Sequence, residues 1–122
     1  PFLSESELSD VIPDHPTKLP RNTFNTVMAK GQMGNGRTIR VMGTLVSTKL
    51  SAKGNVFLNL DKQFPNQIFT VTIFKDQMIN FNYPPDKDLE GKKIIVTGKV
   101  TNFNGIASMA IENENDIEEI DN

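Results

Sequence analysis

Residues 36–47 read GRTIRVMGTLVS, and residues 91–105 read GKKIIVTGKVTNFNG. Aligned without a gap, 55 positions apart, the two stretches share Gly36/Gly91, Ile39/Ile94, Val41/Val96 and Gly43/Gly98. Arg37/Lys92 and Leu45/Val100 are similar pairs. In the first copy Ile39, Val41, Gly43 and Leu45 alternate with Arg40, Met42 and Thr44, the period of a strand with one buried face. That run reaches about Leu50, and the second covers residues 92–103, each roughly twice the usual strand length of about 5–6 residues. Strands this long in a small domain have to bend, and a mid-strand glycine permits a kink or bulge. Two long, bent strands of one design suit a small closed β-barrel, whose strands take part in both of its sheets.

The remaining segments fit around these two. After the turn SAKGN comes a strand over residues 55–60, with Val56, Leu58 and Leu60 alternating with Phe57 and Asn59. Beyond the loop DKQFPNQ, a third strand is expected over residues 68–74, with Phe69, Val71 and Ile73 inward and Thr70 and Thr72 outward. Residues 75–83 carry Asp76 near their start and then Met78, Ile79 and Phe81. They predict a short helix ended by Pro84-Pro85. PPDKDLEG reads as a connecting loop. Asn104-Gly105 is a strong hairpin signal that starts a fifth strand over residues 106–111. Upstream, Ser4 and Glu7 form a capping-box pattern that predicts a short helix over residues 4–12. Pro13, Pro16 and Pro20 make an extended lead-in. TFNTVMAK suits a strand or a short helix, and GQMGNG is a glycine-rich loop. The expected division is an N-terminal helix and lead-in over residues 1–35 and a barrel with an acidic tail over residues 36–122.

Composition narrows the chemistry. The 122 residues match one domain. There is no cysteine, so disulfides and thiolate metal sites are excluded. The single histidine, His15, lies between Pro13 and Pro16 and reads as a solvated loop residue; a zinc site or a histidine triad would need partners that are missing. Asp86, Asp88 and Glu90 read as a solvated loop, and the glycine-rich stretch lacks the GK[ST] of a phosphate loop. No catalytic set, metal site or cofactor is expected. No apolar run approaches the ~18 residues of a membrane span. The compartment stays open: cytoplasmic, or exported if a signal sequence precedes Pro1. The net charge of −2 conceals an asymmetry. All 13 Lys and Arg lie between Lys18 and Lys99 with only five acids, a local balance of +8. A basic body is a footprint for an anionic partner. The tail, with six acids, is a candidate internal competitor for that partner, and its Ile117 and Ile120 suit a turn of helix or an edge pairing.

GRTIRVMGTLVSTK at residues 36–49, GNVFLNL at 54–60, FTVTIF at 69–74 and LEGKKIIVTGKVTNFNG at 89–105 together resemble the OB-fold. That is a mainly β, five-stranded Greek-key barrel, here with a short helix between its third and fourth strands. Within that superfamily they resemble small bacterial nucleic-acid-binding domains of the tRNA-anticodon-binding-like group. The resemblance covers residues 36–120, about 70 per cent of the chain. It implies binding on the face of the second and third strands, between the loop after the first strand and the last hairpin. Carried onto this chain, that face offers Phe57, Asn59, Thr70 and Thr72. Lys49 and Lys53 flank it on one side and Asn102, Phe103 and Asn104 on the other, with Arg40 and Lys99 near its edge. The implied ligand is single-stranded nucleic acid, bound with little sequence specificity: an outward aromatic stacks a base, lysines follow phosphates, and Asn and Thr meet base edges. A protein-interaction or cell-envelope module without nucleic acid is the alternative. An oligosaccharide site is disfavoured, since the chain has no Trp and one Tyr, Tyr83. The oligomeric state is open.

Overall fold

The computed structural model describes residues 10–120. Of the helix expected over residues 4–12, residues 4–9 lie outside them and residues 10–12 are not helical. Among the described residues seven strands form: β1 (Thr23–Asn25), β2 (Thr38–Leu50), β3 (Val56–Leu60), β4 (Phe69–Ile73), β5 (Lys93–Phe103), β6 (Ile106–Ala110) and β7 (Ile117–Glu119). Strands β2, β3, β4, β6 and β5 pair in that order, and β2 then pairs with β5, so the sheet closes. Closure depends on one parallel pairing, β4 with β6. The result is the five-stranded OB-fold barrel, filled by residues that include Val41, Leu45, Leu58, Phe69, Val71, Ile94 and Met109, none exposed.

The two sequence copies pair with each other. Strands β2 and β5 run antiparallel with Val41 opposite Val96, so Gly43 faces Ile94 and Gly98 faces Ile39. Each copy changes partner just past its glycine. Strand β2 pairs with β5 through Thr44 and with β3 from Leu45 on; β5 pairs with β2 through Lys99 and with β6 from Val100 on. Neither glycine has a positive φ. What they supply is room. A Cβ on Gly43 would lie 2.9 Å from Thr26 Cγ2 and 3.0 Å from Leu60 Cβ; one on Gly98 would lie 2.9 Å from Met109 Cγ. The repeated glycine therefore marks the corner where each long strand crosses from one sheet to the other.

A bulge sets the phase of the second half of β2. Leu45 pairs with Leu60, but the next pair is Ser47 with Asn59, so β2 spends one residue more than β3. Val46 is the extra residue. Ser47 and Lys49 thereby turn to the same outer face as Asn59 and Phe57.

The outside of the β2–β5 half is covered. Met42, assigned by alternation to the outer face, is 4% exposed, and Val46 and Ile95 are 1% exposed. The lead-in lies along this side. Lys93 Nζ binds Asp14 Oδ2 at 2.7 Å, Asn25 Nδ2 donates to the Asp14 carbonyl at 2.9 Å, and the Val11 N–H donates to the Asp61 carbonyl at 2.8 Å. TFNTVMAK resolves into both of its options: β1, which pairs parallel to β2, then a 3-10 helix over Met28–Gln32.

Between β4 and β5 the expected short helix forms, but as a 3-10 helix. Lys75–Asn80 forms a 3-10 helix without a side-chain cap, and its Ile79 is 87% exposed, so too little apolar surface is buried to hold an α-helix there. Among the described residues the one α-helical turn is α1 (Pro85–Asp88), in the stretch read as a loop. Pro85 sits in the first turn, where its fixed φ suits a helix and no N–H is needed. The Asn104-Gly105 hairpin forms as expected, with φ of 53° and 86°.

Asp61 fastens the corner at Gly43. It is 2% exposed with φ 68°; its Oδ1 accepts from the Thr44 N–H at 2.8 Å and its Oδ2 from the Thr26 hydroxyl at 2.5 Å. Burial raises its carboxyl above the ordinary 3.8, against the lowering effect of the Thr26 and Thr44 hydrogen bonds. The folded state therefore holds this proton more tightly than the unfolded chain does. Stability from this group is full below 3.8 and is lost as pH rises through the raised value. In Asp61→Asn the amide oxygen still accepts from Thr44 and the amide nitrogen can donate to Thr26, with no buried charge. At pH 7 the variant is expected within about 1 kcal/mol of wild type. In urea unfolding from pH 7 down toward 4, wild type should gain on the variant. A difference that stays constant with pH would rule out a buried carboxyl as its source.

Candidate nucleic-acid interface

The outer face of β3 and β4 is open. It forms a groove of about 1410 Å³ crossing all five barrel strands. No described residue before Ser47 lines it, so the described part of the lead-in leaves Phe57 uncovered. Its floor is a row of small polar side chains set by strand register. Ser47 pairs with Asn59, Asn59 with Thr70, Thr70 with Ser108, and Ser108 with Thr101. Asn59 Nδ2 donates to Ser47 Oγ at 2.9 Å and Thr70 Oγ1 donates to Asn59 Oδ1 at 2.8 Å. The amide is thus held at both ends and its plane is fixed before any ligand arrives.

Aromatic rings stand on both sides of this row. Phe57 pairs with Lys49 and Thr72 on one side, and Phe74, 47% exposed, follows the end of β4. On the other side Phe103 pairs with Ile106, and Phe64 rises from the β3–β4 loop; they are 64% and 65% exposed. Phenylalanines left this open at one groove lose apolar burial, which a stacking partner would restore. Gln67 also lines the groove, and its Oε1 is buried without a hydrogen-bond partner. The charges are balanced: Lys49 and Lys87 against Asp86 and Glu90.

Of the expected residues, the groove collects Lys49, Phe57, Asn59, Thr70, Thr72, Asn102 and Phe103. Asn102 is also turn chemistry, since its Oδ1 accepts from the Gly105 N–H at 2.7 Å. Arg40, Lys53, Lys99 and Asn104 do not line it. Arg40 lies on the β2–β5 half, where Glu118 binds it at 3.4 Å. Lys99 is exposed opposite Thr38, Lys53 sits in the β2–β3 turn, and Asn104 occupies the hairpin tip with its positive φ. The groove adds residues that sequence reasoning passed over, above all Phe74, Ser47, Ser108 and Thr101. Phe74 was accessible to alternation, two positions after Thr72. Ser47 was not, because the bulge at Val46 reverses the phase.

The acidic tail lies elsewhere. Strand β7 pairs with Ile94–Val96 of β5, buries Ile117, and places Glu118 on Arg40 and Glu119 on Lys92. None of residues 112–120 lines the groove, and Glu118 and Glu119 occupy cations outside it rather than competing within it. Exposed ion pairs of this kind contribute about 0–1 kcal/mol. Glu118→Gln with Glu119→Gln is expected to leave oligonucleotide affinity within about twofold. Tightening by more than about tenfold would restore the competitor role.

Among the described residues no group of three or more His, Cys, Asp or Glu is placed to hold a metal ion, and no helix is long and apolar enough to cross a membrane.

No protein-family model and no curated protein matches the sequence. Solved structures resemble it in fold. A chain of the crystal structure of yeast Stn1 and Ten1 superposes with a TM-score of 0.53 at 15% identity, over 83% of this chain and 63% of that one. A protein described as an aspartyl-tRNA synthetase of Leishmania major Friedlin gives 0.50 at 8% identity, over 90% of this chain and 23% of that one. Asparaginyl-tRNA synthetase from Pyrococcus horikoshii gives 0.47 at 17% identity, over 70% and 20%. At these identities the likeness is one of fold. The chain is an OB-fold module, and it spans 63% of the Stn1–Ten1 chain it matches.

Proposed function

We propose that this chain is a non-catalytic module that binds single-stranded nucleic acid in the groove over β3 and β4. One observation carries the reading: a preorganised polar row crosses five strands between Phe57 and Phe74 on one side and Phe64 and Phe103 on the other. Single-strand sites combine aromatic platforms for unstacked bases with polar groups for their edges. A duplex presents no free base faces to stack on such rings. The likeness in fold to a Stn1–Ten1 chain and to an aspartyl-tRNA synthetase is compatible with this reading, but the groove carries it.

The test is fluorescence anisotropy of a labelled single strand, DNA and then RNA, against the matching duplex at low salt. Saturable binding of the single strand, with the duplex weaker, is the expected result. A flat trace with both single strands at low salt would assign the groove to another class of ligand, first an extended peptide.

A further inference from the structure

Resting on the nucleic-acid reading above, we infer that the groove recognises bases rather than backbone, so that its binding is sequence-selective and only weakly dependent on salt. Two independent features of the groove lead there, and both run against the expectation of a nonspecific, phosphate-led site.

The first is charge. The span from Lys18 to Lys99 carries +8, yet the groove takes only Lys49 and Lys87 from it and sets Asp86 and Glu90 beside them. Arg40 and Lys92 are held by Glu118 and Glu119 outside the groove. Salt dependence counts neutralised phosphates, at about −0.7 in log–log slope for each on a single strand. Two groove lysines give about −1.4; a contribution from Lys53, in the turn between the lining residues Leu50 and Asn55, would bring this to about −2. A phosphate-tracking groove with six or more cations would exceed −4.

The second is the polar row. Its central amide, on Asn59, is 6% exposed and fixed by Ser47 and Thr70. Thr70 spends its only proton on Asn59, which leaves its oxygen toward the groove as an acceptor, while Ser47 accepts from Asn59 and keeps its own proton to donate. Fixed donors and acceptors discriminate between bases because a mismatched edge leaves them unpaired in a partly dry site. Freely rotating surface groups would adapt to any base. With strands about 4.8 Å apart, the row extends about 19 Å from Ser47 to Thr101. That is room for a few extended nucleotides, flanked by rings that hold base planes but do not distinguish them.

The experiment titrates short labelled homopolymers of deoxyadenylate, deoxycytidylate and deoxythymidylate at about 50 and 200 mM salt. It uses the wild-type chain, Asn59→Leu, which removes the amide at similar size, and Thr70→Val, an isosteric change at a less buried position that serves if Asn59→Leu melts. Wild type is expected to separate the homopolymers by about tenfold or more in Kd, with a salt slope near −1.4 to −2. A folded row variant should bring them within about threefold while still binding. Equal wild-type affinities with a slope beyond −4 would overturn base reading and leave nucleic-acid binding standing. A preference that survives unchanged in both variants would remove this row as its source. Absence of binding to any homopolymer, to mixed-sequence strands and to RNA would remove the nucleic-acid reading itself, and this inference with it.

Discussion

Replacing Phe57 with alanine is expected to weaken single-strand binding by about 1–3 kcal/mol, or about 5- to 150-fold in Kd. Phe57 stands beside the polar row, paired across neighbouring strands with Lys49 and Thr72. Its ring is half-buried, so it is anchored by the sheet and still presents a face to a base. Phe64 and Phe103 are more exposed, and each has more freedom to lose on binding; their alanine variants should each cost less. Anisotropy titration measures the loss, and urea unfolding of the same variants separates it from instability. An unchanged Kd for a folded Phe57→Ala protein would move the site off the β3–β4 face. The order Phe57 above Phe64 and Phe103 also tests the groove as a whole. If only Phe103 mattered, contact would be confined to the β5–β6 hairpin.

Gly43→Ala is expected to destabilise the barrel by about 1–3 kcal/mol, and Gly98→Ala by less than about 1 kcal/mol. The two glycines occupy matching places in the sequence repeat, so the repeat alone predicts equal effects. Their neighbours differ. The new methyl at Gly43 meets Leu60 Cβ at 3.0 Å and Asp61 Oδ1 at 3.3 Å. Leu60 Cβ is fixed by the backbone, and Asp61 is tied down by Thr26 and Thr44. The methyl at Gly98 meets Met109 Cγ and Sδ, the outer part of a flexible side chain that can rotate away. Since neither position has a positive φ, alanine also gains about 0.4–1 kcal/mol by restricting the unfolded chain. That gain nearly cancels the cost at Gly98 but not at Gly43. Urea midpoints with unchanged slopes would measure both. Equal destabilisation would mean that backbone bending, and not the space at Gly43, is what the glycines provide.

Much of the barrel was legible because its strands alternate. Val56, Leu58 and Leu60, then Phe69, Val71 and Ile73, have their buried faces written in a two-residue period, and all six are buried. The hairpin at Asn104-Gly105 was legible from local backbone preference. The short helix expected over residues 75–83 forms as a 3-10 helix over Lys75–Asn80, while the α-helical turn Pro85–Asp88 was read as loop; each is one or two turns long, too short for periodicity to tell their types apart.

The sequence by itself determined the closed, mainly β barrel: two long glycine-centred strands, three shorter alternating ones and a hairpin between the last two admit few other arrangements. It also determined that Phe57, Asn59, Thr70 and Thr72 share one face, because alternation is a local property of each strand. Tertiary structure decided what surrounds them. One bulged residue, Val46, turned Ser47 and Lys49 into the groove; the parallel β4–β6 register brought Ser108 beside Thr70; and the tail's pairing with β5 took Arg40 and Lys92 into ion pairs away from it. Each of these depends on how one strand lies against another. Register between strands distant in the chain is an energy of the assembled sheet, and no single segment carries it.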